Sequence, residues 1–334
     1  MDKMAARPAK ISRPVLHEPV ARERLFVMLD ALRNHSVVWI AAPPGAGKTT
    51  LVASWVEAKQ RSAVWYQIDP ADNDPATFFY YLSAAAQPAK RKSEPLPLLT
   101  AELAHDMASF ARRYFRALFA RLEPNAIVVL DNLHELSQDS SLYLMLAQAA
   151  EETTTGAQFI LISRGQAAGA FIRLKANKIL GTVRGEELKF TLAEIKAMAQ
   201  GVGALGTQEA QGLYERCDGW ASGLTSLLME RKRLGEPLEA VDDRLSLEDV
   251  FNYFATEIVE RLYVSAQDTL LKLAALPYLT PELAVRVSGD EHAGGLIDHL
   301  CRHNLSLVRA GTGRRRAPRG PGGFGTGLRP GHGA

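Results

Sequence analysis

The chain has 334 residues, of which 47% are hydrophobic and 23% charged, with a formal net charge of +2. This composition is typical of a globular chain of about two domains. The near balance of acids and bases argues against a surface that coats a polyanion uniformly, but not against a local basic patch. Two cysteines are too few for a disulfide framework, and they predict a reducing, cytoplasmic location.

Two local features of the sequence also exclude membrane and secreted proteins. The longest stretch without charge, Pro75–Ala89, is shorter than the roughly 20 apolar residues that span a bilayer. The first residues contain no apolar core of a secretory signal. We therefore expect no membrane partner.

The first half of the chain alternates between two hydrophobic patterns. Residues 1–20 are polar and predict an extended arm. Helical spacing predicts helices over 22–33, 49–59, 75–87, 107–122 and 140–151. Short runs rich in β-branched residues predict strands over 36–41, 62–68, 126–130 and 158–163. This alternation predicts an α/β fold, with a parallel sheet and helices on both faces.

Beyond Arg164 the β pattern fades. Helices are predicted over 190–200, 207–216, 221–234, 247–262 and 266–276. Residues 311–334 hold nine Gly, three Pro, five Arg and no acid. Such a composition buries too little apolar surface to offset its ordering entropy, so this segment is predicted to be a disordered tail.

The strongest chemical signal is the segment APPGAGKT, Ala42–Thr49, between a predicted strand and a predicted helix. It has the G-K-T ending of a P-loop, with Ala42 where the stricter pattern has glycine. Glycines let successive N–H groups point at phosphate oxygens, the lysine reaches the β- and γ-phosphates, and the threonine hydroxyl ligates Mg²⁺. The predicted phosphate-binding residues are Pro44, Gly45, Ala46, Gly47, Lys48, Thr49 and Thr50.

Asp131 is the second part of this site. It ends the aliphatic run Ala126–Leu130, and an acid at that place downstream of a P-loop is the Walker-B arrangement. The carboxyl end of the strand aims this carboxylate at the metal that Thr49 would hold. We therefore predict Thr49 and Asp131 as the Mg²⁺ ligands, with ATP or ADP as the nucleotide.

Residues that follow Asp131, and Arg164 after the fourth strand, bear on catalysis. Asn132 stands where many hydrolytic relatives have a carboxylate, and an amide can hold a water but cannot accept its proton. His134 and Glu135 could substitute, or they could be polar residues of a turn. Slow hydrolysis is therefore expected. Arg164, after the fourth strand, could sense the γ-phosphate, or it could be a solvated arginine at a strand end.

The motifs together resemble the MalT-type, LuxR-family regulators within the STAND class of signal-transducing P-loop ATPases. Beyond the P-loop, the resemblance is carried by ISRP (Ile11–Pro14), VARERL (Val20–Leu25), WYQIDPADNDPATFFYYL (Trp65–Leu82), VVLDNLHEL (Val128–Leu136), ILISR (Ile160–Arg164), LKFTLAEI (Leu188–Ile195) and CDGWASGLTSL (Cys217–Leu227). The resemblance covers roughly residues 11–310.

The resemblance implies a domain plan and a mode of action. The plan is an arm over 1–20, a P-loop NTPase domain over 21–185, a helical nucleotide-closing domain over 186–240 and a partial winged-helix domain over 241–310. Such proteins act as switches that are off with ADP and on with ATP, and they self-associate when a small-molecule inducer binds. The arm around Val20–Arg24 would approach the adenine, which assigns Arg22 to nucleotide binding.

The chain also departs from the family pattern. The histidine-bearing segment expected after Asn304–Val308 is replaced by the Gly/Pro/Arg tail. Neither the sensor repeats nor the helix-turn-helix that reads promoter DNA is found in these residues. We expect a truncated or frame-shifted product, and the alternative is a basic arm that binds nucleic acid through phosphates.

Three functions follow from these observations. The first is the ATP-binding switch module of a signal-responsive transcriptional regulator. The second is an active AAA-like ATPase acting on nucleic acid, which would need an acid after Asp131 and an arginine finger. The third is a small-molecule kinase, against which the GWASGL segment argues.

Overall fold

The computed structural model describes residues 8–16, 19–87, 95–100, 102–153, 157–201, 203–234, 264–273, 281–302, 308–309 and 315–316. The helix predicted over 247–262 lies outside these residues. The chain divides into two compact units. The first comprises residues 1–188 with 302–304, and the second comprises residues 189–301 with 305–334.

The first unit is built on a five-stranded parallel sheet. Its strands are β1 (Val37–Ala41), β2 (Ala63–Gln67), β3 (Ile127–Asp131), β4 (Gln158–Ser163) and β5 (Leu180–Arg184). Their order across the sheet is β2-β3-β4-β1-β5. The predicted parallel sheet is confirmed. Because β4 lies between β1 and β3, the residues that follow these three strands meet at one edge.

Strand β5 corrects the sequence-based prediction, which has no strand beyond Arg164. Its run is short, and Gly181 weakens the β pattern. A Cβ at Gly181 would lie 2.9 Å from Leu32 Cδ2 and 3.3 Å from His35 Cγ. A larger residue there would require these side chains to shift, and local sequence does not reveal this close approach of the segment after the first helix.

Helices cover both faces of the sheet, as predicted. They are α1 (Glu23–Ala31), α2 (Lys48–Ala58), α3 (Pro75–Ala85), α4 (Met107–Arg121), α5 (Ser141–Glu151) and α6 (Ile172–Ala176). Alternate residues along each strand feed two separate cores. Helices α1 and α2 cover Val38 and Ile40, whereas α3, α4 and α5 cover Trp39 and its neighbours through an aromatic cluster around Phe79 and Phe115.

The described part of the N-terminal arm, residues 8–16 and 19–20, packs against the first unit. Residues Ala9–Ile11 form a 3₁₀ turn, and Ile11 is buried in the core under α3. Leu16 packs against the opposite core, under α1 and α2. The described part of the arm therefore contacts both cores, and its 3₁₀ turn lies beside the edge strand β2.

A partly buried ion-pair cluster holds Lys10 of this arm. Lys10 Nζ lies 2.6 Å from Asp69 Oδ2 and 3.0 Å from Asp72 Oδ2. Asp72 is fully buried and also accepts a hydrogen bond from Tyr66 Oη. Tyr81 presents its ring 4.8 Å from the Lys10 ammonium. The WYQIDPADND segment therefore has a structural role, because it holds the arm.

The described part of the second unit is mainly helical, with one pair of two-residue strands. Helices α7 (Leu192–Ala199), α8 (Thr207–Cys217) and α9 (Ala221–Leu234) confirm three predicted helices. They share a core that includes Ile195, Leu213 and Leu224. Gly219, between α8 and α9, has φ +72°, and a Cβ there would lie 2.8 Å from Phe190 O.

The remaining described elements are α10 (Val264–Leu273), α11 (Pro281–Ser288), α12 (Ala293–Arg302), β6 (Val308–Arg309) and β7 (Arg315–Arg316). Strands β6 and β7 pair antiparallel. Residues 315–316 lie in the segment predicted to be a disordered tail, but the structure forms strand β7 there. Low apolar content did not reveal this strand, because backbone pairing needs no apolar side chain. Across the described ranges, none of the helices has the length and apolar character needed to cross a membrane.

Candidate functional site

The P-loop connects the central strand β1 to helix α2. Its two glycines have left-handed backbone angles, φ 72° at Gly45 and φ 79° at Gly47. Those angles cost residues with a Cβ about 1–2 kcal/mol, which explains glycine at both places. Pro44 and Ala46 are buried, and Thr50 is exposed in the first turn of α2. The loop is therefore curled, and Ala46 N donates to Pro43 O at 3.4 Å within it. Successive N–H groups in a loop of this kind can bind an anion.

Lys48 is folded back onto its own loop. Its ammonium donates to Ala42 O at 2.7 Å and to Pro43 O at 2.8 Å. Burial lowers the pKa of Lys48 to about 8; the positive charge of Arg164 also lowers it, and Asp131 opposes both. The two carbonyl oxygens carry only partial negative charges, whereas a phosphate carries full ones. The positive charge of the Lys48 ammonium is therefore poorly compensated.

Thr49 and Asp131 meet as predicted. Thr49 Oγ1 donates to Asp131 Oδ2 at 2.9 Å, and Asn132 N donates to Asp131 Oδ1 at 2.9 Å. Asp131 is 2% exposed. Burial raises the pKa of its carboxyl, although both hydrogen bonds and the Lys48 charge oppose that rise. A hydroxyl and a carboxylate at this distance are two oxygen donors of the kind that Mg²⁺ prefers.

The protein donors at this site would not surround a metal by themselves. No cluster of three His, Cys, Asp or Glu suited to a metal is found in the described part of the chain. Mg²⁺ commonly keeps several waters and binds through one or two protein oxygens plus phosphates. Thr49 and Asp131 fit that pattern.

Asn132 has a left-handed backbone, φ 61° and ψ 34°. Asparagine tolerates this region better than most residues. The following 3₁₀ turn, Leu133–Glu135, places His134 Nε2 3.5 Å from Glu135 Oε1. The side chains of His134 and Glu135 are 11% and 24% exposed. Both residues therefore lie close to Asp131 in the chain, on a turn.

Arg164 directly follows β4, beside the start of the P-loop. Ser163 pairs with Ala41, and Ser163 O accepts from Ala42 N at 3.3 Å. The charge of Arg164 contributes to the lowered pKa of Lys48. This part of the predicted site is therefore brought together with the P-loop.

Arg22 lies at a different part of the first unit's loops. It precedes α1, is 6% exposed, and donates through Nη1 to Leu188 O at 2.8 Å. Arg24 donates to Glu187 O at 3.0 Å. These bonds tie α1 to the segment after β5, and a role for Arg22 towards adenine stays a prediction.

Gly185 was missed by the sequence analysis. A Cβ there would lie 3.3 Å from Pro43 Cδ and 3.5 Å from Ala42 Cβ. The segment after β5 therefore packs directly against the start of the P-loop. A glycine after a strand is a weak signal of close approach, and it carried no weight while β5 itself was not predicted.

Comparisons with known proteins agree with this geometry. Residues 32–170 match the AAA domain family, and residues 255–317 match the MalT winged helix domain family. The chain is 28% identical over 318 residues to the HTH-type transcriptional regulator MalT of Serratia proteamaculans, covering 90% of this chain. It is 27% identical to that of Yersinia enterocolitica over the same share.

This chain is a relative of the MalT-type transcriptional regulators. The predicted resemblance is confirmed, and so is the fold class, a P-loop NTPase domain with a MalT winged helix domain. The chain spans about a third of the length of the MalT proteins that it matches. The winged-helix match runs to residue 317 and thus into the segment predicted to be a tail. The predicted domain boundaries stay predictions.

A solved structure supports the fold independently. The Walker-type ATPase PABY2304 of Pyrococcus abyssi aligns with a TM-score of 0.58 and 17% identity, over 94% of this chain and 96% of that chain. At this identity the similarity supports the fold and nothing more.

Proposed function

We propose that this chain is the ATP-binding switch module of a MalT-type transcriptional regulator. The observation that carries the proposal is the contact between Thr49 Oγ1 and Asp131 Oδ2 at 2.9 Å, directly beside a curled P-loop. These two oxygens lie 82 residues apart in the chain and would together hold Mg²⁺ on a nucleotide. Similarity to MalT over 90% of the chain supports a role for this site in a regulator.

Each residue has a proposed task. The backbone N–H groups of residues 45–50, in the loop and the first turn of α2, would bind the phosphates. Lys48 would leave the carbonyls of Ala42 and Pro43 for the β- and γ-phosphates, which supply full negative charges. Bound Mg²⁺ would neutralise phosphate charge, and Arg164 would contact the γ-phosphate that distinguishes ATP from ADP.

Hydrolysis is proposed to be slow. Asn132 follows the metal-binding carboxylate, and its amide cannot accept a proton from water. Without a strong base at this place, the ATP-bound state would persist long enough to act as a signal. A purified chain turning over near 10 s⁻¹, about the median for enzymes, would contradict this proposal and favour an active ATPase.

The binding site is tested by titration with a fluorescent adenosine nucleotide, with and without Mg²⁺. We expect Lys48→Ala to abolish binding with an unchanged circular dichroism spectrum. Asp131→Asn and Thr49→Val should remove the gain in affinity that Mg²⁺ gives to the unmodified chain, whereas Thr49→Ser, which keeps the hydroxyl, should retain it. Equal effects of Asp131→Asn with and without Mg²⁺ would refute its metal role.

The wider role in a regulator is a separate proposal. The relatives are HTH-type transcriptional regulators, and regions of those proteins outside the aligned third would read promoter DNA and bind an inducer. For this chain we propose self-association in the ATP state. Size-exclusion chromatography with light scattering should show a larger species with ATP and Mg²⁺ than with ADP, and identical masses would refute it.

A further inference from the structure

A buried tryptophan lies behind Arg164. Trp39 is the middle residue of β1, is 2% exposed, and pairs with Leu161 of β4 and Thr182 of β5. Its indole Nε1 donates to Gly165 O at 2.9 Å, and this hydrogen bond is buried. The ring meets Phe171 edge-on, with centroids 5.2 Å apart. A large aromatic side chain in the strand that leads into the P-loop thus contacts the residue after Arg164.

The backbone around Arg164 is held at three points. Ala42 N donates to Ser163 O at 3.3 Å, Gly165 N donates to Ser163 Oγ at 3.3 Å, and Trp39 holds the Gly165 carbonyl. Glycine has no Cβ and restricts its own dihedral angles weakly. The two hydrogen bonds to Gly165 therefore largely set its backbone conformation. That conformation in turn sets the direction in which Arg164 extends from the end of β4.

Removing the indole donor would release this restraint. Gly165 is buried, so its carbonyl cannot simply turn to bulk water. A buried acceptor that loses its donor is costly, and the chain moves to find another one. The nearest part of the chain that can move is the turn carrying Arg164, because β4 itself is paired on both sides.

We propose that Trp39 is a positioning residue for Arg164, and that its hydrogen bond to Gly165 O sets how strongly the site prefers a nucleoside triphosphate to a diphosphate. This inference rests on the proposed role of Arg164 at the γ-phosphate. Trp39 itself touches no phosphate. Its effect should therefore be seen for ATP and not for ADP.

Trp65 provides a matched control. It lies on β2, is 3% exposed, and packs in the core under α1 and α2. Its indole nitrogen has no hydrogen-bond partner among the described residues. Trp39→Phe and Trp65→Phe therefore remove the same atoms from two buried sites, but the first alone removes a bond to the turn that follows Arg164.

The experiment measures Kd for ATP and for ADP, each with Mg²⁺, in the full chain and in its Trp39→Phe, Trp65→Phe and Arg164→Ala variants. We expect Arg164→Ala to lower the preference for ATP over ADP by about tenfold or more, as for loss of a charge-assisted contact. Trp39→Phe should lower it about three- to tenfold while leaving Kd for ADP within about twofold. Trp65→Phe should leave both constants within about twofold.

The outcomes separate the inference from its premise. If Arg164→Ala changes the preference and Trp39→Phe does not, the positioning role is wrong. If Arg164→Ala itself has no effect, the γ-phosphate role of Arg164 fails, and the inference fails with it. An equal loss in Trp39→Phe and Trp65→Phe would show a general packing effect and overturn the inference as well.

A second variant covers the case in which Trp39→Phe does not fold. Ser163→Ala removes one oxygen and with it the hydrogen bond to Gly165 N. It should shift the ATP preference in the same direction as Trp39→Phe. A folded Ser163→Ala chain with an unchanged preference would count against the proposal.

Discussion

The affinity of this chain for nucleotide should depend on pH in a range where lysines do not ordinarily titrate. The perturbation is a change from pH 7 to pH 9 at fixed Mg²⁺. Burial, followed by the charge of Arg164, lowers the pKa of Lys48 to about 8 in the nucleotide-free chain. Phosphates raise that pKa again when they bind, because opposite charge favours the ammonium. Binding therefore takes up a proton at high pH, and affinity falls as pH rises through about 8.

The magnitude follows from the fraction of ammonium. With a pKa of about 8, Lys48 is about 90% protonated at pH 7, half protonated at pH 8 and about 10% protonated at pH 9. If only the ammonium binds phosphate, Kd should rise about twofold by pH 8 and about tenfold by pH 9. A lysine at the ordinary pKa of about 10.4 would change Kd by less than about 10% over the same range.

The assay is a titration with a fluorescent ADP analogue at five pH values between 7 and 9. Adenosine, which has no phosphate, is the control and should bind with no such dependence. Calorimetry in two buffers of different ionisation enthalpy should show proton uptake near pH 8.5. A flat profile for the ADP analogue would refute the view that Lys48 is buried and poorly compensated beside Arg164.

Two further predictions concern stability and are measured by urea denaturation. Lys10→Met should lower the free energy of unfolding by about 3 kcal/mol, because the fully buried Asp72 would lose its cationic partner. Adding Asp72→Asn should recover part of this loss, and additive losses would argue against the pair. Gly219→Ala should cost about 2 kcal/mol or more, since it combines a left-handed φ with a Cβ 2.8 Å from Phe190 O. Gly212→Ala, in the interior of α8 with nothing within 4 Å of the new Cβ, should instead be neutral or stabilising by up to about 1 kcal/mol.

Much of the site could be predicted because its parts are local or follow a general rule. Residues 42–49 are contiguous, and the glycine pattern needs no distant partner to be recognised. Asp131 is distant in sequence, yet carboxyl ends of parallel strands share one edge of a sheet, so its meeting with Thr49 could be expected. The same rule predicted that Arg164, at the carboxyl end of β4, lies at this edge.

Other features depended on contacts that no local pattern reports. Strand β5 has a weak β pattern, so it is recognisable only from tertiary contacts such as the close approach of Leu32 and His35 to Gly181. Packing rather than local propensity makes this segment a strand. The path of the arm around β2 depends on Ile11 and Leu16 finding opposite faces of the sheet.

The amino-acid sequence by itself determined the P-loop segment, the strand-end carboxylate beside it and the α/β class, because periodicity and glycine placement act over a few residues. Tertiary structure alone decided that Lys48 is buried against carbonyls, and that the indole of Trp39 reaches Gly165 O, 126 residues away. Burial and long-range hydrogen bonds depend on the three-dimensional arrangement of distant segments, and it is these that set the charge of the lysine and the position of the arginine.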